Sequence, residues 1–401
     1  MRRGSATARC PPDGPKPRGA RLTGHREIPL PSPLQTRLCD LLGSRYPIIL
    51  PGMGWVATPE LTAAAANAGA FGFLAAATIP PEQVGDAINR VKALTDRPFG
   101  VNFLMDAPGA DVITEAIIAR GVRAAGYNRA PSADLIKRLK DAGVVCIPTC
   151  GAARHAQKAE QLGADAIIAQ GSEGGGHTGV VPTSLLVSQC ADQVDVPIVA
   201  AGGFRDGRGL VAALALGAAG VAMGTRFLLT AESPVPDVTA ARYLKARVTD
   251  VRVTNEIDGM PQRVITNELV HELERKGPLG RLLFAVSNGI AFRRATGASV
   301  TDLLRSALAM RSHERLSRSQ LLMAANAPML ARKAMNEGDP VRGYLPSGTV
   351  AGVIDDRPSC AELIERIVRE AEETLARLSG PIERAADEPG GEETGGIGGR
   401  S

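Results

Sequence analysis

Aromatic residues make up only 3% of this 401-residue chain, with one Trp, four Tyr and eight Phe. A surface that stacks successive bases needs a row of rings, so single-stranded nucleic acid is a poor fit as a partner. Cysteine is sparse too, and Cys10, Cys39, Cys146, Cys150, Cys190 and Cys360 include no C-x2-C pair. That spacing argues against a zinc loop and against a disulfide framework, and fits a reduced protein. No apolar run approaches the roughly 18–20 residues that cross a bilayer. Arg2 and Arg3 are not followed by the apolar stretch of a secretory signal; a cytoplasmic location with no membrane partner is expected. A large excess of one charge is also missing. Residues 1–33 hold seven Lys or Arg and two Asp or Glu, which leaves 39 basic and 40 acidic residues in the remainder. A near-neutral body with a short basic arm offers no broad face for a polyanion.

Alternation is what the chain has in abundance. Short, nearly continuous apolar runs fall at Pro47–Leu50, Phe71–Ala75, Phe99–Phe103, Ala124–Tyr127, Val144–Thr149, Ala166–Gln170, Pro197–Ala201 and Gly220–Met223. Strands buried on both faces of a parallel sheet have this character. Helical stretches separate most of them, at Pro59–Ala68, Pro81–Leu94, Ala110–Arg120, Ser132–Ala142, Ala152–Leu162, Pro182–Gln193 and Gly207–Leu216. Eight such strands predict an α/β protein with a (β/α)8 barrel over residues 34–230. A doubly wound open sheet fits the same alternation, but the strand count and the glycine corners described next favour the barrel.

Beyond Thr230 the pattern turns helical, near Thr266–Lys276, Val300–Met310, Ser317–Ala334 and Ser359–Leu378. Residues 231–379 are therefore expected to be a helical insertion and a C-terminal helical layer packed over the barrel mouth. Residues 1–33, rich in Pro, Gly and Arg, and residues 380–401, rich in Gly and Glu, read as disordered extensions.

Barrels of this kind place their chemistry at the C-terminal ends of the strands and commonly hold phosphate after strands seven and eight. The seventh run ends in Ala200-Ala201-Gly202-Gly203 and the eighth in Met223-Gly224-Thr225-Arg226. Paired glycines let backbone N–H groups approach a phosphate, and Thr225 adds a hydroxyl. Gly207-Arg208-Gly209-Leu210-Val211-Ala212 also matches a G-x-G-x-x-A dinucleotide pattern, but it opens a late helix and is read as a decoy. After the sixth run, Gln170-Gly171-Ser172-Glu173-Gly174-Gly175-Gly176-His177-Thr178-Gly179 carries one histidine to the mouth on a glycine-rich loop. An imidazole can take a proton near neutral pH, so His177 is the candidate acid–base residue. His25, His155, His271 and His313 lack such a setting. The first loop, Pro51-Gly52-Met53-Gly54-Trp55, and Asn102 at the end of the third run are placed to meet a planar ring across the mouth.

The loop PGMG and the runs DRPFGVNF, AQGSEGGGHTG, AAGG and MGTRFL together resemble the nitronate monooxygenase family over roughly residues 36–335. The resemblance implies a barrel that binds FMN noncovalently. By that likeness Asn102, Gln170 and Gly175 contact the flavin, joined by Gly52, Met53, Gly54 and Gly176. Gly203, Gly224 and Thr225 hold its phosphate beside Gly202, and His177 matches the family's base. The runs GMGWVA, GGFRDGRGL, VTNEIDGMPQRV, LMAANAPML and SGTVAGVIDDRPSC resemble more narrowly an actinobacterial branch of the family. Its members act on a bicyclic CoA thioester from steroid rings C and D. An enoyl-thioester reductase of the second type is a related flavin barrel that handles the same bond in reverse. Gly174 stands where many nitronate enzymes carry Ala, and no dedicated nitro-group pocket is legible.

Three activities follow as expectations. The first is FMN-dependent introduction or reduction of a C=C bond in an acyl-CoA thioester, with Arg205, Arg208, Arg226 and Arg263 as candidates for the CoA phosphates. The second keeps the flavin and oxidises nitronates with O2, or uses NAD(H) as electron partner for quinone reduction. The third is a non-catalytic flavin-binding barrel. A small-molecule substrate and a homodimer are the associations expected, with no metal.

Overall fold

The structure, a computed structural model, describes residues 33–128, 131–277, 280 and 326–380. The extensions expected at either end (Pro33 and Gly380 excepted), Cys10, the helix expected at Val300–Met310 and the first part of Ser317–Ala334 lie outside the described residues. Eight parallel strands close into a barrel: β1 (Ile48–Leu50), β2 (Phe71–Ala75), β3 (Gly100–Phe103), β4 (Ala124–Asn128), β5 (Val145–Cys150), β6 (Ile167–Gln170), β8 (Ile198–Ala201) and β9 (Gly220–Ala222). The two-residue β7 (Gly176–His177) stands off the barrel between β6 and β8. Register pairs Ile48 with Val221 and Ile49 with Ala222, which joins the last strand to the first. All eight expected strands are present, their ends moved by no more than a single residue, because burial on both faces made each a nearly continuous apolar run.

Side chains alternate across a strand, so one set of positions fills the barrel and the other packs under the helices. Ile49, Phe71, Phe73, Ile147, Ile168 and Val199 belong to the inner set. Leu38 and Leu42 from the helix Arg37–Leu42 join it and close the N-terminal end, where a β-carbon on Gly220 would sit 2.6 Å from Leu38. Two of the few aromatics lie here. Phe71 and Phe73 meet edge to face with centroids 5.2 Å apart. Gly100 on the neighbouring strand makes room, since a β-carbon there would lie 2.4 Å from the Phe73 ring.

The helix Gly207–Ala215 is capped by Asp206, which accepts from the Gly209 N–H at 3.0 Å. It lies against the C-terminal helix Cys360–Ser379, and a β-carbon on Gly207 would fall 2.3 Å from the Ala371 nitrogen and 2.4 Å from the Ile367 oxygen. The dinucleotide-like motif is therefore a helix-packing device. Gly207→Ala should lower stability by about 1–3 kcal/mol through overpacking. Urea unfolding checks this, and an unchanged midpoint would contradict it.

Residues after Thr230 supply the expected helices Glu268–Arg275, Asn326–Met335 and Cys360–Ser379, but also a sheet that the helical reading did not include. Its strands are β10 (Val251–Thr254), β11 (Gln262–Ile265) and β12 (Leu345–Pro346), all antiparallel, and β7 adds to β11. Among the described residues no helix is long and apolar enough to cross a membrane.

Candidate active site

The period of two carries Asn102 and Gln170 into the mouth. Asn102 follows Gly100 on the inner face of β3, and Gln170 follows Ile168 on the inner face of β6. Both are half-buried. Gly52 lets the loop after β1 cross Asn102, since a β-carbon there would meet the Asn102 side chain at 2.3 Å. The Gln170 amide donates to the His177 carbonyl at 2.9 Å and ties the glycine loop back to its strand.

Gly202 and Gly203 have φ of 105° and 86°, values that L side chains rarely adopt. At Gly202 the loop closes tightly, with a β-carbon only 2.9 Å from the Gly174 nitrogen. Gly203 is more open, its nearest neighbour being the Glu173 side chain at 3.6 Å. Glu173 latches the loop by accepting the Thr183 N–H at 2.8 Å as well as the Thr183 hydroxyl. Thr225 sits in the short helix Gly224–Leu228, and its Oγ1 accepts the Gly348 N–H at 3.0 Å. A hydroxyl has one proton to give, so that acceptance leaves Thr225 a donor for something else. Gly175 abuts the same segment, where a β-carbon would lie 2.6 Å from the Gly348 nitrogen. A β-carbon on Gly224 would meet the Met53 sulfur at 3.3 Å.

Gly175 and Thr225 thus close on Gly348, Gly203 faces Glu173, Gly202 closes on Gly174, and Gly224 faces Met53, next in the chain to the Gly52 that crosses Asn102. Gly54 faces Thr78 instead, at 3.0 Å from a built β-carbon, and Gly176 opens onto space. Gly348 and Glu173 were not among the expected site residues; the SGT run and the Glu inside the glycine loop were their only signals. Glycine corners, an uncommitted Thr225 proton and two half-buried amides suit a planar ring with an anionic tail, and FMN fits these residues.

His177 is half-exposed, and its Nε2 lies 2.8 Å from Oδ2 of Asp258, a residue only 4% exposed. Gln262, fully buried, donates from Nε2 to the same oxygen at 2.6 Å, and the Met260 N–H reaches Oδ1 at 3.1 Å. Pairing of β7 with β11 sets Gln262 directly opposite His177. Asp258 and Gln262 are functional candidates that sequence reasoning missed. The period-two run Val251–Thr254 and the Asp258-Gly259 turn were the available signal for a hairpin. His155 is on a helix, where burial lowers its pKa with help from Arg154, and His271 pairs weakly with Glu274 at 3.7 Å.

The four arginines expected as candidates for CoA phosphates all make hydrogen bonds within the chain, and of them only Arg226 is buried. Arg226 is 3% exposed and donates to Asp356 and to the Leu229 carbonyl. Arg205 donates to the Val353 carbonyl, Arg208 to Asp206, and Arg263 to the Ser172 carbonyl. Burial pushes the Arg226 pKa down, and Asp356 works against that. Burial would raise the Asp356 pKa, but hydrogen bonds from Arg366 and Arg226 outweigh it and hold the carboxyl below its ordinary range. Asp356→Ala should cost about 1–3 kcal/mol at neutral pH, discounted because the carboxylate is partly exposed. A carboxyl with a lowered folded pKa stabilises above its unfolded pKa and loses that contribution as pH falls through the folded value. The gap between wild type and Asp356→Ala in thermal melts should therefore narrow in acid; a gap that widens would contradict the assignment. Among the described residues the cysteines are free and buried, with burial raising Cys146 and Cys150 to about 12, and no group could hold a metal ion.

Comparison with known proteins matches residues 35–119 and 119–370 to the family model described as nitronate monooxygenase. Two curated relatives carry the name (3aS,4S,5R,7aS)-5-hydroxy-7a-methyl-1-oxo-octahydro-1H-indene-4-carboxyl-CoA dehydrogenase. The one from Rhodococcus jostii is 49% identical over 340 residues, 85% of this chain and 96% of the relative. The one from Mycobacterium tuberculosis is 49% identical over 353 residues, 87% of this chain and 99% of the relative. Among solved structures, FabK from Thermotoga maritima superposes with a TM-score of 0.72 at 33% identity, covering 86% of this chain and 98% of that one.

Proposed function

Because the chain belongs to the nitronate monooxygenase family, and is on that ground an oxidoreductase, we propose that it binds FMN and dehydrogenates a bicyclic indene-type CoA thioester with His177 as base. The observation that carries the reading is the joining of the histidine loop to the glycine corners: Gly175 and Thr225 both close on Gly348. Near-full-length likeness to two dehydrogenases of such a thioester supports the choice of substrate.

Gly203, Gly224 and Thr225 would hold the phosphate of FMN, while Asn102, Gln170, Gly52, Gly175, Gly176 and Met53 would border its ring and chain. A thioester acidifies the adjacent C–H, so a positioned imidazole can remove that proton. When bound, the flavin supplies the acceptor for the hydride that leaves the neighbouring carbon, and a C=C bond remains between the two carbons. His177 holds the proton taken and can release it to solvent through its exposed side. The glycine loop, latched by Glu173 and Gln170, holds the imidazole on a fixed backbone.

Anaerobic mixing tests the substrate class. The indene CoA ester should bleach the flavin absorbance faster than an alkyl nitronate or NADH. Bleaching by the nitronate alone would replace the thioester with a nitronate as substrate. Bleaching by NADH alone would run the site in the reductive direction.

A further inference from the structure

We infer that Asp258 fixes the tautomer of His177, so that Nδ1 is the ring nitrogen that takes the substrate proton; the inference rests on His177 being the base. A neutral imidazole has one N–H and one lone pair, and which nitrogen carries the proton is set by the partner of the other. Nε2 is 2.8 Å from a carboxylate oxygen. An ionised carboxylate only accepts, so the shared proton belongs to Nε2 and the lone pair to Nδ1.

Gln262 orients the carboxylate. Its Nε2 reaches Asp258 Oδ2 at 2.6 Å and lies 3.3 Å from His177 Nε2. Turning the amide over would set its carbonyl oxygen against the carboxylate, so the amide orientation is decided by the acid rather than by the ring. With the Met260 N–H on Oδ1, three donors converge on Asp258. The Nε2 end of the ring therefore points into a buried polar cluster, while the side chain as a whole stays 48% exposed. Asp258 is not needed to dock the loop. Backbone pairing of Gln262 with His177 and Arg263 with Gly176, and the Arg263 hydrogen bond to Ser172, already do that. Its distinct contribution is to choose the nitrogen. Asp258 is thus a positioning residue, with the role that a carboxylate behind a histidine base plays in other active sites.

Asp258→Asn keeps the shape and supplies an N–H that can donate to Nε2, which favours the opposite tautomer. The expected result for the FMN-loaded enzyme with the indene CoA ester is a kcat lower by about 10²–10⁴, KM changed by less than the fall in kcat, and full FMN content. Asp258→Glu should recover part of the loss. Nitrogen NMR of labelled wild-type holoenzyme should show His177 protonated at Nε2. If Asp258→Asn turns over normally while His177→Ala is inactive, the tautomer assignment is overturned and the base stands. If both turn over normally, the base itself is misassigned. Should Asp258→Asn lose FMN or fail to fold, the wild-type spectrum decides, and an Nδ1-protonated ring overturns the inference.

Discussion

His177→Ala is expected to yield a yellow protein that has lost about 10²–10⁴ of its turnover, the range for removal of a general acid–base group. The side chain is half-exposed and fills no part of the core, so its deletion leaves the fold intact. The imidazole's own contact is the one to Asp258, which keeps the Gln262 amide and the Met260 N–H as donors when the ring is gone, while Gln170 still binds the His177 carbonyl and Glu173 still binds Thr183. FMN content and melting temperature should accordingly stay near wild type while kcat falls and KM moves little. Steady-state kinetics with the indene CoA ester, beside flavin content, check both halves. Retained FMN with wild-type turnover would remove His177 from the chemistry. Loss of FMN would instead make the loop a binding element.

Gly224→Val is expected to weaken FMN binding at least about a hundredfold, equivalent to roughly 3 kcal/mol. The position is informative because it separates the cradle from backbone strain. Gly202 and Gly203 are left-handed, so any side chain there disturbs the turn as well as the ligand. Gly224 carries no such φ, and a β-carbon would meet only the Met53 sulfur at 3.3 Å and Pro51 at 3.8 Å. Met53 can swing aside, so the apoprotein should fold and melt close to wild type. The branched side chain would crowd the start of the helix Gly224–Leu228 beside the Thr225 hydroxyl. Titration of apoprotein with FMN, followed by flavin fluorescence, measures the change. Unaltered affinity would move the phosphate away from the β9 corner.

The barrel was legible because burial on both faces writes each strand as a nearly continuous apolar run, and glycine marks the turns between strands and helices. His177 was legible for a related reason, since a lone histidine on a glycine loop after β6 stands out from its surroundings. The partners that give it a direction were not. Asp258 and Gln262 lie 81 and 85 residues further along the chain, and only the pairing of β7 with β11 brings them to the ring. Strands of two to four residues between amphipathic helices leave little periodic signal, so residues after Thr230 read as helical throughout. Arg226 was misread for a comparable reason: beside a phosphate corner it looks ligand-facing, yet Asp356, far along the chain, claims it. Local chemistry names the groups at a site, while tertiary pairing decides which way each one faces.

Removal of the proton next to the thioester by His177 is tested most directly by anaerobic single turnover with the indene CoA ester deuterated at that carbon. Wild-type flavin should bleach more slowly with the deuterated than with the protiated ester, and His177→Ala flavin should stay oxidised with both. Fast bleaching in the alanine variant, indifferent to the isotope, would contradict proton abstraction by this imidazole.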